Sequence, residues 1–515
     1  TYNIAVGYRA GKAVTTGVQN TLIGGLAGDA MTAGGTNTAV GYNALTTETD
    51  GVRSVAVGHS ALQTQNLAGG YEAYNIGVGY NAGGSITVGL KNIAIGGLAG
   101  DALTDADFNV AIGHQALTTD TLGSKSTAIG YQALATQNFS SATDSHNTAV
   151  GYSAGSEITT GIQNVLIGAL AGDALTTGKE QIAIGYEALT AETNGIASTA
   201  IGYQALKAQN GSGAINVYNV AVGYQAGLSV TTGIFNTIMG SAAGDALTDA
   251  DYNVALGGNS LSTDTLGHQS VAVGYGALNS QNFTSSTNSL NTAVGYRAGT
   301  SLTTGTQNTA VGNNALTGVV TGTGNAVYGN ESANSITSGS FNTFIGRYTA
   351  DSCTTGAYNT HIGNDTDVSA ADIQFGVAIG HGAVDKGTNT GMIAPTSGVY
   401  QGNNNASWST TSDERIKKNI VDNNIGLDTI NKIQVKNFEY RTENEIVDFD
   451  NPKAAVVKKE GVQLGVIAQE IQSILPDVVT EQSTGVLAVN PDNITWYLVN
   501  AVKELSAEIK KLKGE

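Results

Sequence analysis

The stretch Asn37-Thr38-Ala39-Val40-Gly41-Tyr42-Asn43-Ala44 decides the fold, because the chain keeps returning to it. Copies of Asn-x-Ala-Val-Gly-Tyr-x-Ala begin at Asn3, Asn20, Asn37 and Ser54, then at Asn75, Asn92, Asn109 and Ser126. They continue from Asn147, Asn164, Gln181 and Ser198, and from Asn219, Asn236, Asn253 and Ser270. Asn291, Asn308, Asn325, Asn342 and Asn359 follow, with a degenerate last copy at Gly376. The steps are 17, 17, 17 and 21 residues, a larger period of 72 that positions 3, 75, 147, 219 and 291 obey without slippage.

A unit this short cannot hide its own apolar side chains, so neighbouring copies must stack. Thr38 to Tyr42 is too short for a helix. β-Branched Thr38 and Val40 fit a strand with small Ala39 on its other side, and Gly41 gives the backbone freedom for a corner. A second short strand is expected near Leu45-Thr46-Thr47, ahead of a turn at Asp50-Gly51. Two strands and two turns then make one rung, and about 22 rungs spaced by about 4.8 Å give a shaft of roughly 100 Å. The fold class is therefore mainly β, a repetitive parallel β-roll or β-solenoid. The recurring Asn predicts a side-chain amide ladder or a turn cap. The Tyr at 8, 42, 80, 131, 152, 186, 203, 224, 275 and 296 predicts packing, with a stacking platform for sugars as the alternative.

Composition agrees. Glycine is abundant (69 residues), only 12% of residues are charged, and all four prolines lie at or after Pro395. Proline cannot donate to a ladder, so nearly four hundred residues without one suit continuous β-pairing. Apolar residues reach 41% in strict order, which argues against disorder. The net charge of −18 excludes nucleic acid as a partner, since phosphate binding needs clustered Lys and Arg. Cys353 is the only cysteine, so no intrachain disulfide forms, and neither a metal site nor a cofactor is expected. No apolar run approaches a membrane span. A signal peptide is not seen at Thr1, so an attachment region is expected to precede it.

Every fourth rung carries four extra residues after a Gln-Asn pair, at Gln65-Asn66, Gln137-Asn138, Gln209-Asn210 and Gln281-Asn282. The segments that follow, 67–74, 139–146, 211–218 and 283–290, diverge while their flanks stay alike. Insertions in a solenoid emerge as loops on one face, so these are either spacer bulges or a row of receptor-contacting protrusions. Asp29, Asp101, Asp173 and Asp245 recur four rungs apart, about 19 Å by strand spacing. They cannot share one ion and read as turn formers.

The run Asn-x-Ala-Val/Ile-Gly resembles the head repeat of trimeric autotransporter adhesins, a parallel β-roll built from three chains. That resemblance covers roughly Thr1 to Ala383 and implies a roll without fixing its cross-section. Periodicity fails near Asp385, which divides the chain into a shaft (1–384), a linker (385–411) and a C-terminal domain (412–515). The domain opens on Thr411-Ser412-Asp413-Glu414-Arg415-Ile416-Lys417-Lys418-Asn419-Ile420. With Phe438-Glu439-Tyr440, Gly465-Val466-Ile467-Ala468-Gln469-Glu470, Leu475-Pro476 and Asn500-Ala501-Val502-Lys503-Glu504-Leu505, this resembles the autoprocessing intramolecular chaperone of phage tailspikes, tail fibres and endosialidases.

The resemblance implies a Ser-Lys dyad that cuts the chain once the trimer has folded. Ser412 would be the nucleophile and Lys417 the base, with Lys418 the competing base; Asp413 and Glu414 would position the scissile bond. A serine hydroxyl needs deprotonation, and a partly buried lysine can have its pKa lowered enough to do it. One departure is that no histidine follows His381. Leu498, Val502, Leu505, Ile509 and Leu512 advance by four, three, four and three, the seam of a coiled coil that would align three chains.

The implied function is a homotrimeric fibre or tailspike of a virion tail, extracellular, attaching to a host-cell glycan or protein receptor without entering a membrane. Peptidase activity would serve maturation only. The alternatives are a bacterial trimeric surface adhesin and a glycan-degrading tailspike. The latter needs paired carboxylates, and the nearest pair, Asp365 and Asp367, reads as turn residues.

Overall fold

Each copy of the repeat forms one three-residue strand, and the strands pair in parallel one rung apart. Thr38-Ala39-Val40 lies against Thr21-Leu22-Ile23 on one side and Val55-Ala56-Val57 on the other, in unbroken register. A computed structural model of the chain describes residues 2–211, 213, 216–318, 320–393, 414–442, 445–446, 456–457, 459–482 and 485–514. They fall into two compact units, Thr1–Thr355 and Gly356–Glu515.

The first unit is the solenoid, with twenty such strands from Ile4–Val6 to Thr343–Ile345. The middle residue points inward: Ala39, Ala56, Ala149 and Leu166 are fully buried, while Thr38 and Val40 stay partly exposed. Stacking extends beyond the strands. Leu26 N donates to Tyr8 O, Gly11 N to Ala27 O, and Thr15, Thr16 and Gly17 all donate to Thr32 O. Nearly the whole rung is thus hydrogen-bonded to the next. Gly41 sits at φ 143°, where a Cβ would lie 2.2 Å from the Gly58 carbonyl oxygen. The corner therefore requires glycine for closeness of backbones as well as for its dihedral angle.

The second strand is not at Leu45-Thr46-Thr47. That segment is a turn, and Leu45 adopts φ 52° with its side chain fully buried. The left-handed residue turns the chain back so that Leu45 fills the narrow interior beside the alanines. A second ladder does exist, but it follows the Asp50-Gly51 turn and is confined to scattered rungs. Val52 bridges Glu72, Gly123–Ser124 pairs in parallel with Thr143–Asp144, and Gly267–His268 pairs with Thr287–Asn288.

The second unit holds three further parallel strands, Thr360–Ile362, Val377–Ile379 and Gly391–Ile393. At the degenerate copy, Gly376 lacks the Asn side chain and Asp385 takes its place; a Cβ on Gly376 would meet Asp385 Oδ2 at 2.8 Å. Asp385 Oδ1 accepts hydrogen bonds from the backbone of Ser369 and Gly387, and its Oδ2 lies 3.3 Å from His361 Nε2, with both side chains fully buried. Burial pushes this carboxyl up, but the bonds from His361, Ser369 and Gly387 outweigh burial and hold it below the usual range.

The rest of the second unit is a small α/β module. Lys436–Phe438 pairs antiparallel with Gln463–Gly465, and Val479–Glu481 with Leu487–Val489. Helices α1 (Leu427–Ile430), α2 (Ala468–Ile474) and α3 (Pro491–Lys513) accompany them. Ile471, Leu475, Val478 and Tyr497 form the core, with Ile430, Val466, Val489 and Ile494 packed around it. No helix among the described residues is long and apolar enough to cross a membrane.

Candidate functional sites in the shaft and the C-terminal module

The Asn ladder is present and is built from both ends of the amide. Asn20 Oδ1 accepts from Asn37 N (2.9 Å), and Asn20 Nδ2 donates to Gly34 O (2.8 Å). The same pair of bonds recurs at Asn37, whose Oδ1 accepts from Ser54 N and whose Nδ2 donates to Gly51 O. The ladder breaks where serine replaces Asn, and there the glutamine of the Gln-Asn pair supplies the missing amide. Gln137 Nε2 donates to Ser126 Oγ (2.8 Å) and to Asp120 Oδ2 (2.6 Å), while its Oε1 accepts from Asn147 Nδ2 (2.8 Å). Gln65, Gln209 and Gln281 repeat the arrangement with Ser54, Ser198 and Ser270.

This network contains four carboxylates that sequence reasoning passed over: Glu48, Asp120, Glu192 and Asp264, all fully buried. Each accepts a bond from the glycine three residues on and from the first residue of the insert. For Asp120 these donors are Gly123 N (3.0 Å) and Phe139 N (3.3 Å); for Glu48 they are Gly51 N and Leu67 N. Burial raises the Asp120 carboxyl, opposed by the bonds from Gln137, Gly123 and Phe139. The signal was in the sequence, since an acid six residues before Ser and seventeen before Gln recurs with the 72-residue period.

The inserts are consequently better anchored than free loops. The acid pins their start, Leu67, Phe139 and Phe283 are buried as apolar anchors, and the parallel bridges tie their ends. The tips, such as 140–142 and 284–286, are exposed, as are Asp144, His146, Asn288 and Leu290 nearer the ends. Asp29, Asp101 and Asp173 each accept a hydrogen bond from the threonine of the next rung, Thr46, Thr118 and Thr190. They tie rungs together as well as shaping turns. Asp245 lacks that bond, its Oδ1 is buried without a hydrogen-bond partner, and burial raises its carboxyl.

The tyrosines stack between rungs, as expected of packing, but they do so on the outer surface. Tyr203 lies between Tyr186 and Tyr224 with ring centroids 5.5 and 5.2 Å away, and Tyr131 stacks on Tyr152 at 5.4 Å. A second aromatic column, Tyr218-Phe235-Tyr252, occupies the residue before Asn, which sequence reasoning did not single out.

In the C-terminal module, Ser412 and Asp413 lie outside the described residues, so the geometry of the Ser412–Lys417 dyad does too. Glu414–Ile416 forms a single 3-10 turn, closed by Lys417 N on Glu414 O (3.1 Å), and Glu414, Lys417 and Lys418 are exposed. Farther along, the last sequence block holds the segment that follows the dyad. Asn500 Nδ2 donates to Asn423 O (2.7 Å), and Glu504 Oε2 accepts from Leu427 N (2.6 Å). Tyr497 Oη donates to Asp477 Oδ2 (2.5 Å), beside a shallow polar cleft of about 240 Å³ that Trp496 and Asn493 also line. The seam of α3 points away from its own core, with Leu498, Val502, Leu505, Ile509 and Leu512 all exposed.

No curated protein matches the chain. Residues 412–480 match the family model for the chaperone of endosialidase. A parallel β-solenoid followed by that match fits a protein of the tail fibre or tailspike type, carrying a C-terminal chaperone.

Proposed function

We propose that this chain is a homotrimeric virion fibre that attaches to a host-cell surface, and that its C-terminal domain aligns three chains and is then cut away at Ser412. The match of 412–480 to the chaperone family carries the reading. It is supported by the exposed 3.5-residue seam of α3, which gives three chains a register. Parallel β-assembly is slow because its contacts are nonlocal, so a nucleating helix gives the shaft a defined start. In this reading Lys417 takes the Ser412 proton as the hydroxyl oxygen attacks a neighbouring peptide carbonyl, the C–N bond breaks with that proton passing to the leaving amine, and water then hydrolyses the ester to free Ser412; Asn500 and Glu504 position the segment that follows.

The test is expression of wild type and Ser412→Ala, compared on denaturing gels. Wild type should release a fragment close to residues 412–515, and the variant should stay intact. Identical full-length bands would remove the peptidase step. Attachment is tested separately by deleting 139–146 and its three counterparts; unchanged adsorption to host cells rules out the insert tips as the contact.

A further inference from the structure

The outer aromatic column is interrupted at regular places. The residue after the corner glycine stacks in groups of three rings, Tyr42-His59-Tyr80, His114-Tyr131-Tyr152 and Tyr186-Tyr203-Tyr224, with neighbouring centroids 5.2 to 5.7 Å apart. The rung between one group and the next carries Gly97 or Ala169, and the rung ahead of the first group carries Gly25. After the third group, Ser241 and Gly258 leave two rungs without a ring before Tyr275. These places are open. Chain neighbours aside, a Cβ on Gly97 would meet nothing within 4 Å but the His114 ring at 3.4 Å, and one on Gly25 nothing but the Tyr42 ring at 3.3 Å. The rings that end a group have an uncovered face: Tyr80, Tyr152 and Tyr224 are 61%, 55% and 53% exposed, against 42% for Tyr131 and Tyr203 in the middle.

A second column follows the same rhythm. Beside the rings from Tyr42 to Tyr224 the next residue is polar, as at Asn81, Gln115, Ser153 and Glu187. Beside Gly25, Gly97, Ala169 and Ser241 it is Leu26, Leu98, Leu170 and Ala242, all half-buried. A ring in each vacant rung would extend the stack and stabilise the shaft. Leaving it out at the same rung of four successive sets forgoes that stability, as happens where a site serves a ligand.

We propose that the vacancies are slots for the terminal pyranose of a cell-surface glycan, one sugar to a slot. Each of the first three is one ring thick, because the same column holds one ring per rung elsewhere. At Gly97 the walls are the Tyr80 and His114 rings, which meet the C–H groups on the two faces of a sugar at the ordinary carbon spacing of about 3.5–4.0 Å. Leu98 adds an apolar contact, and Asn81 and Gln115 lie beside the walls, where hydroxyls keep hydrogen bonds to amides or water. A pyranose has such apolar faces and a polar edge; a flat aromatic ring would leave the amides unused. The backbone of the vacant rung closes the inner side, so a sugar linked at both ends does not fit and the terminal one enters. Walls that touch C–H faces discriminate weakly between hydroxyl patterns. Successive slots lie four rungs apart, about 19 Å, so a dense glycan layer fills several at once and weak single contacts multiply. The inference rests on the attachment reading above and names the class of ligand.

The full chain in its native assembly is mixed in turn with the methyl pyranosides of glucose, galactose, mannose and N-acetylglucosamine, and saturation transfer from protein to sugar is read by NMR. Wild type should saturate the ring C–H protons of at least one of the four. A filled variant, Gly25→Tyr, Gly97→Tyr, Ala169→Tyr, Ser241→Tyr and Gly258→Tyr, keeps the fold because tyrosine already occupies this column in neighbouring rungs, and its transfer should fall to background. Thr160→Tyr, which adds a ring at an exposed corner outside the column, should keep the wild-type transfer. A second variant, Leu26→Asn, Leu98→Asn and Leu170→Asn, suits the left-handed backbone at those positions and should also lose transfer. No transfer from wild type to any of the four sugars, or equal transfer in wild type and both variants, overturns the proposal. p-Cresol is the rival probe: transfer to it that the filled variant loses, with none to the sugars, assigns the slots to an aromatic side chain of a protein partner and overturns the glycan. Those failures leave attachment through another surface standing, whereas wild type that does not adsorb to host cells removes attachment and leaves the slots.

Discussion

Gln137→Ala tests how an amide borrowed from elsewhere completes the ladder. In the native rung Gln137 donates to buried Asp120 and Ser126 and accepts from Asn147. Ser126 keeps a bond to Ser145, and Asn147 keeps Gly161 O. The main loss is a charge-assisted bond to a fully buried carboxylate, worth about 1.5–3 kcal/mol, with a smaller term for the half-satisfied Asn147, for a total of about 2–4 kcal/mol. Because stacked repeats open locally, the damage should stay near rungs 109–147 and not melt the whole shaft. Hydrogen exchange of the Gly123 and Phe139 amides, both bound to Asp120, reads it directly. Their protection should fall by about 30- to 1,000-fold, the equivalent of that energy, while amides of rungs beyond Asn219 keep theirs. Gln163→Ala, at an exposed position, should change neither. Protection at Phe139 within about threefold of wild type would refute the substitution of Gln for Asn as a structural principle here.

Asp245→Asn should stabilise the shaft at pH 7, by on the order of 1 kcal/mol, because it removes a charge whose Oδ1 is buried without a partner. The folded carboxyl is raised, so its contribution favours the fold at low pH and is lost as pH rises from the ordinary carboxylate range through the raised value. The variant's thermal advantage should therefore shrink on acidification; an advantage that grows instead would contradict the burial argument. Tyr203→Ala removes two ring stacks and should cost about 1–3 kcal/mol in local unfolding, against about half of that for Tyr296→Ala, which loses one. Gly151→Ala places a Cβ 2.5 Å from Gly168 O at φ 141° and should cost about 3 kcal/mol or more, seen as lost exchange protection in the two rungs it joins.

The periodic Asn, Ala and Gly positions alone determined that short strands stack in parallel with glycine corners and an amide ladder. Those features depend on residue type and on spacing along the chain, and both are written in the sequence. The seam of α3 was legible for the same reason. What required the tertiary structure was everything set by distances between rungs. Leu45 was misplaced in a strand because its propensity says nothing about a left-handed turn; only the need to fill a narrow core selects φ 52° there. The buried acids looked like ordinary surface residues until Gln137 was seen to reach eleven residues back to Ser126 and seventeen back to Asp120. An interior amide has value only where stacking brings a vacant acceptor within hydrogen-bonding distance, and that is decided when rungs close on one another at about 4.8 Å.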